Sequence, residues 1–173
     1  MPSTYTLISS NVLSSSAASV TFSAIPSTYT DLVLRMSVRS TGTSTDRIVT
    51  IKYNNDTTST YSWTTLLGNG STASSGGASG TGGAYAYSAT ASGATANTFG
   101  SLEVYIPSYT ASQNKPISVF GMPETNAATF SVNGGGAVAQ LFSSTTAISR
   151  IDLTTSGQID AGSSFYLYGL KSS

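Results

Sequence analysis

The 173-residue sequence contains no cysteine and no histidine. Without cysteine there is no disulfide framework and no thiolate nucleophile. Without histidine the commonest general base, the commonest metal ligand and the Ser-His-Asp relay are missing, and zinc loses its usual nitrogen and sulfur ligands. Charge is scarce too: 8% of residues are charged, against roughly 25% in an average globular domain. Seven basic residues balance seven acidic ones, which makes no basic field for nucleic acid and no acidic one for cationic partners. No stretch approaches the ~20 apolar residues that a membrane-crossing helix needs. The opening MPSTYTLISS lacks the basic region and apolar run of a secretory leader. The expectation is a chain made in a cytoplasm, with neither membrane nor nucleic acid as partner. No segment keeps a 3.6-residue apolar period, so helices are not expected.

Hydroxyl side chains take the place of charge. The 33 serines and 26 threonines are about a third of the chain. Threonine favours strands and serine favours turns, which fits an all-β protein with short connections. A surface so poor in charge opposes association weakly, which points to life in an assembly.

The clearest pattern spans residues 20–39, VTFSAIPSTYTDLVLRMSVR. Leu32, Leu34, Met36 and Val38 share one face of a strand, while Val33, Arg35, Ser37 and Arg39 share the other. A strand repeats every two residues, so an apolar row turns inward and both arginines turn outward. Val20 and Phe22 form a similar row before the break at Pro26. These two strands are read as the centre of the core. Further strands are expected at residues 5–8, 46–53, 60–67, 99–106, 116–122, 128–132, 137–142, 148–153 and 165–170. Residues 137–142 and 148–153 read as a strand pair, and Asn54-Asn55-Asp56 as a turn. Residues 68–83, GNGSTASSGGASGTGG, bury too little to offset their ordering entropy and read as a long exposed loop. With the alternating 84–91, residues 68–98 read as a Gly/Ser/Ala-rich insertion in one domain over residues 1–173. The fold class is all-β, a jelly-roll-like sandwich of two antiparallel sheets.

Chemistry is thin. The carboxylates are Asp31, Asp46, Asp56, Glu103, Glu124, Asp152 and Asp160. A glycosidase needs two of them across a cleft, and no local spacing suggests a pair. Asp31 at a strand entrance and Asp46 beside Arg47 read as turn and ion-pair residues. Asn54, Asn55 and Asp56 carry the oxygens that calcium takes, but a turn explains them more simply. The glycine-rich stretch is followed by neither Gly-Lys-Ser/Thr nor a helix, so it is not a phosphate cradle. We expect no enzyme, no metal and no cofactor. Of the ten tyrosines, Tyr53 reads as core together with Trp63. Tyr85, Tyr87, Tyr105, Tyr109, Tyr166 and Tyr168 fall at strand edges or opposite the aliphatic rows. Such rings serve as structural tyrosines, subunit contacts or sugar platforms.

Two motifs carry a resemblance. Near the start, Phe22, Ile25, Pro26, Tyr29, Asp31, Leu32 and Leu34 spell F-x-x-I-P-x-x-Y-x-D-L-x-L; at the end, Phe165, Leu167, Tyr168, Gly169 and Leu170 spell F-x-L-Y-G-L. Both ends resemble small structural proteins of tailed bacteriophages, cyanophages and other marine phages in particular. The likeness covers about a third of the chain and leaves the middle unmatched. It implies a virion component with a β-sandwich fold, often a homotrimer. The first reading is a capsid decoration or cement protein that bridges capsid subunits, with the major capsid protein or another virion protein as partner. The alternative is a fibre or tail-appendage module that binds a host-surface glycan or another virion protein through tyrosines and Trp63. In the first case Arg35 and Arg39 would anchor the face to an acidic capsid surface.

Overall fold

The structure is a computed structural model and describes residues 4–58, 60–125 and 134–171. It contains twelve strands: β1 (Tyr5–Val12), β2 (Ala17–Phe22), β3 (Asp31–Ser40), β4 (Asp46–Tyr53), β5 (Tyr61–Gly68), β6 (Ala73–Thr81), β7 (Ala84–Ala91), β8 (Gly100–Ile106), β9 (Lys115–Met122), β10 (Gly135–Phe142), β11 (Ile151–Ile159) and β12 (Ser164–Leu170). There is no helix among the described residues, and so none long and apolar enough to cross a membrane. The expected strand at residues 128–132 lies outside the described residues.

The strands form a jelly-roll-like β-sandwich. A large sheet runs β1-β12-β3-β8-β9-β10-β5-β6, antiparallel throughout. A small sheet runs β2-β11-β4-β7. The two join where β3 ends. Ser40 pairs with Ile159 of β11, and Arg39 and Ser40 run parallel to Thr90 and Ala91 of β7. A long strand that leaves one sheet for the other in this way makes the corner of a sandwich.

The inner row of β3 is the one the alternation predicts. Leu32, Leu34, Met36 and Val38 of β3 are buried, as are Val49, Ile51 and Tyr53 of β4 and Leu102, Val104 and Ile106 of β8. Ile117 and Val119 of β9 and Phe165 and Leu167 of β12 join them. At one end of the core, Tyr53, Tyr61 and Phe142 cluster with ring centroids 5.1–6.1 Å apart. Burial pushes the Tyr61 hydroxyl up to about 12. The 54–56 turn forms as expected. Asn54 and Asn55 both have positive φ, and Asp56 N–H donates to Tyr53 C=O at 3.0 Å, the pattern of a type I′ turn.

Partner choice differs from the sequence reading in three places. β2 and β3 lie in different sheets: β2 is an edge strand on β11, and only β3 is central. β10 pairs with β5 and β9, while β11 pairs with β2 and β4, so the two are not a strand pair. The expected loop at 68–83 is largely the regular strand β6, hydrogen-bonded along β5. The hydrogen-bonded ladder orders what side-chain burial could not. Every residue of β7, in the supposed insertion, is buried.

Tyr87 fixes β7 in place. It sits at a register shift opposite β4 with φ +80°, a backbone conformation that costs about 1–3 kcal/mol for a non-glycine residue. Its ring crosses the inner face of β9 and β10. A Cβ on Gly121 would stand 2.3 Å from that ring, and its hydroxyl donates to Gly134 C=O at 2.5 Å. Gly121 is glycine because the tyrosine occupies the space of its side chain.

Candidate binding face

The outer face of the large sheet is where uncommitted side chains collect. Strand register places Ser10, Tyr166, Arg35, Glu103, Phe120, Ala137, Leu66 and Ser75 in one row across all eight strands. A neighbouring row holds Leu7, Tyr168, Val33, Tyr105, Ser118, Ala139 and Thr64. Cross-strand neighbours of this kind are close enough to act together.

The β12-β3-β8 part of this face is polar and aromatic. Arg35 Nε donates to Glu103 Oε2 at 2.9 Å, and the guanidinium also lies 5.4 Å from the Tyr5 ring centroid. Tyr5 meets Tyr168 edge to face at 6.1 Å. Tyr105 donates to Asp31 Oδ2 at 2.9 Å, and Ser108 N–H donates to the other oxygen. Val33 is outward in phase yet buried, between Tyr168 and Tyr105 in the row. The β9-β10-β5 part is apolar: Leu66, Phe120 and Met122 are 61–65% exposed. There is no charged residue between Asp56 and Glu103, so β5, β6 and β7 carry none.

Of the residues that the sequence nominated for an interface, four lie on this face: Arg35, Tyr105, Tyr166 and Tyr168. The other four do not. Arg39 shares the phase of Arg35 but is buried, because β3 has by then crossed to the sandwich corner. Its guanidinium donates to Thr95 C=O at 3.1 Å and Thr98 C=O at 2.8 Å and faces Asp160 at 3.8 Å. It clamps the 94–98 loop rather than meeting a partner. Tyr85 is buried, with its hydroxyl against Ser88 and its ring 5.3 Å from Trp63. Tyr87 is fully buried, and burial holds its hydroxyl well above the ordinary value. Tyr109 is buried with its hydroxyl on Pro26 C=O. Tyr85 and Tyr87 are buried because β7 is covered on both sides, whereas the Tyr109 ring is turned inward from a partly exposed loop. Trp63 is only half-buried, against Tyr85.

Sequence reasoning passed over Leu66, Phe120, Met122 and Tyr5. The signal for two of them was present: if Ile117 and Val119 point inward, Phe120 and Met122 sit in the outward phase of the same strand. Among groups capable of chemistry, Lys115 is fully buried, and its ammonium donates to the carbonyls of Ala111, Gln113 and Ser144 at 2.5–3.2 Å. Burial lowers its pKa. It pins the β8–β9 loop. Six carboxylates have side-chain partners: Asp31 with Tyr105, Asp46 with Thr45, Asp56 with Thr58 and Thr60, Glu103 with Arg35, Asp152 with Arg150 and Thr21, and Asp160 with Ser16 and Arg39. Among the described residues no three His, Cys, Asp or Glu side chains come together as metal ligands would.

No family model and no curated protein matches this chain. Among solved structures, 96% of the chain superposes on 29% of an exo-inulinase from Aspergillus awamori, with a TM-score of 0.50 and 13% identity. The chain thus spans less than a third of that protein. The galectin LEC-6 of Caenorhabditis elegans overlaps 98% of this chain and 96% of its own, with a TM-score of 0.34 and 11% identity. Neither is a phage protein, and at such identities the likeness to the inulinase is one of fold alone.

Proposed function

We propose that this chain is a structural protein of a tailed-phage virion, a decoration or cement protein that acts by contact and not by catalysis. The single observation that carries this reading is the uncharged, apolar part of the large sheet, where Leu66, Phe120 and Met122 stand exposed together. Clustered exposed apolar side chains mark interaction surfaces, and an interface core is depleted of charge in the same way. The two motifs of the resemblance form one structural unit. Leu34 pairs with Leu167 and Leu32 with Gly169, where the Tyr29 ring takes the space a Cβ would need. The partner is the major capsid protein or another virion protein. Binding to the assembled shell and not to the free subunit stabilises the shell by mass action, and several weak contacts suffice when they engage together.

Quantitative mass spectrometry of purified virions tests this reading. On the order of hundreds of copies per particle, the number that coverage of a shell by multivalent contacts implies, supports it. A handful per particle rejects it in favour of a fibre or tail appendage. Leu66→Asp should abolish rebinding to stripped shells without changing the fold, because Leu66 is 65% exposed.

A further inference from the structure

We infer that the groove between β12 and β9 on the outer face of the large sheet is a binding site for a neutral oligosaccharide. The groove is open, has a volume of about 450 Å³, and is lined by Tyr166, Arg35, Glu103, Phe120 and the hydroxyl-bearing Ser37 and Ser101. Register puts Tyr166, Arg35, Glu103 and Phe120 side by side on four successive strands. Three strand spacings of about 4.8 Å set the two rings about 14 Å apart, the length of a short oligosaccharide.

Each part suits a polyol. Phe120 is 61% exposed, so its ring has area to bury against the apolar face of a sugar ring. The Arg35–Glu103 bond uses one guanidinium nitrogen and one carboxylate oxygen. The terminal nitrogens can donate to sugar oxygens while the second carboxylate oxygen accepts from sugar hydroxyls, and charge-assisted bonds of this kind are the strong ones. Both side chains are about half exposed, at 55% and 42%, so a ligand reaches them without rearrangement. The charge balance then selects the ligand class. Arg35 is already neutralised by Glu103, no other charged residue lines the groove, and a sulfated or carboxylated sugar would gain an arginine only by approaching a glutamate. A neutral saccharide pays no such repulsion.

The test is a titration of the full chain against arrays of neutral and anionic oligosaccharides, with the best neutral binder followed by calorimetry. Binding of neutral glycans is expected, weakened about tenfold by Phe120→Ala, the loss of one aromatic contact, and at least tenfold by Glu103→Gln, the loss of a charge-assisted bond. Leu66→Asp, outside the groove, should leave sugar binding unchanged while it abolishes shell binding, whereas Phe120→Ala should weaken both, because Phe120 and Met122 line the groove and also belong to the contact face. Glu103 is on the surface, so its amide variant should fold, as thermal unfolding at the wild-type midpoint would verify. No binding to any saccharide, a preference for anionic ones, or affinity indifferent to Glu103→Gln would each overturn the inference.

Discussion

β6 and β7 follow one another and are built from nearly the same small residues, ASSGGASGT and AYAYSATA. Yet β6 is almost wholly exposed and β7 wholly buried. β6 hangs on one neighbour, β5, at the edge of the large sheet. β7 pairs with β4 and with the end of β3, and packs across β5, β8, β9 and β10. The small residues that the two strands share do not separate them. What separates them is Tyr85 and Tyr87, which fill the sandwich, and the alanines between them, which let the neighbouring layers approach closely. The alanines bury little area individually but leave no room for anything larger.

The comparison can be broken most forcefully at Gly121. Gly121→Ala places a Cβ 2.3 Å from the Tyr87 ring and should destabilise the protein by about 3 kcal/mol or prevent folding, as overpacking against an immobile ring does. Urea unfolding measures this, and a loss below about 1 kcal/mol would mean that β7 is not held as described. Arg39→Ala, at the corner that covers β7, removes the clamp on Thr95 and Thr98. About 2–3 kcal/mol should be lost, the range for charge-assisted bonds to buried carbonyls, with faster amide exchange confined to residues 94–98. Tyr87→Phe strips one buried hydrogen bond from Gly134 C=O and should cost about 1–2 kcal/mol.

A smaller effect comes from acid. Asp152, between β2 and β4, is held below its ordinary value of 3.8 chiefly by the hydrogen bond from Arg150, helped by Thr21. Its folded pKa is depressed, so the stability it supplies is complete above 3.8 and lost as the pH falls through the lower folded value. Asp152→Asn should flatten that acid limb in a melting-temperature profile. Least of all should happen at the exposed strand: Ser75→Lys on β6 should shift stability by no more than about 0.5 kcal/mol. A large loss there would mean that β6 is covered in solution.

The individual strands were legible because alternation is a local property. The inner rows of β3, β4, β8, β9 and β12 could be assigned from two-residue periodicity without knowledge of any partner. Half of the candidate face could be assigned in the same way, since Arg35, Tyr105, Tyr166 and Tyr168 lie on strands whose outer side is open. Arg39 could not be. It shares a strand and a phase with Arg35, and the alternation treats them alike, but the last residues of β3 belong to the other sheet and residues 94–98 fold over them. Tyr109 escaped for a similar reason: its loop is pressed onto Pro26 by contacts distant in sequence.

The sequence by itself determined an all-β chain with no histidine, no cysteine, a balanced sparse charge and a set of inward apolar rows, because composition and period are complete before the chain folds. Only the tertiary structure decided which strands pair, that the glycine-rich stretch is ordered as an edge strand, that Tyr85 and Tyr87 belong to the interior, and that Phe120 stands in one row with Arg35, Glu103 and Tyr166. Each of those depends on residues far apart in the chain meeting across a ladder, and register between strands is set by the fit of whole faces, which no local pattern encodes.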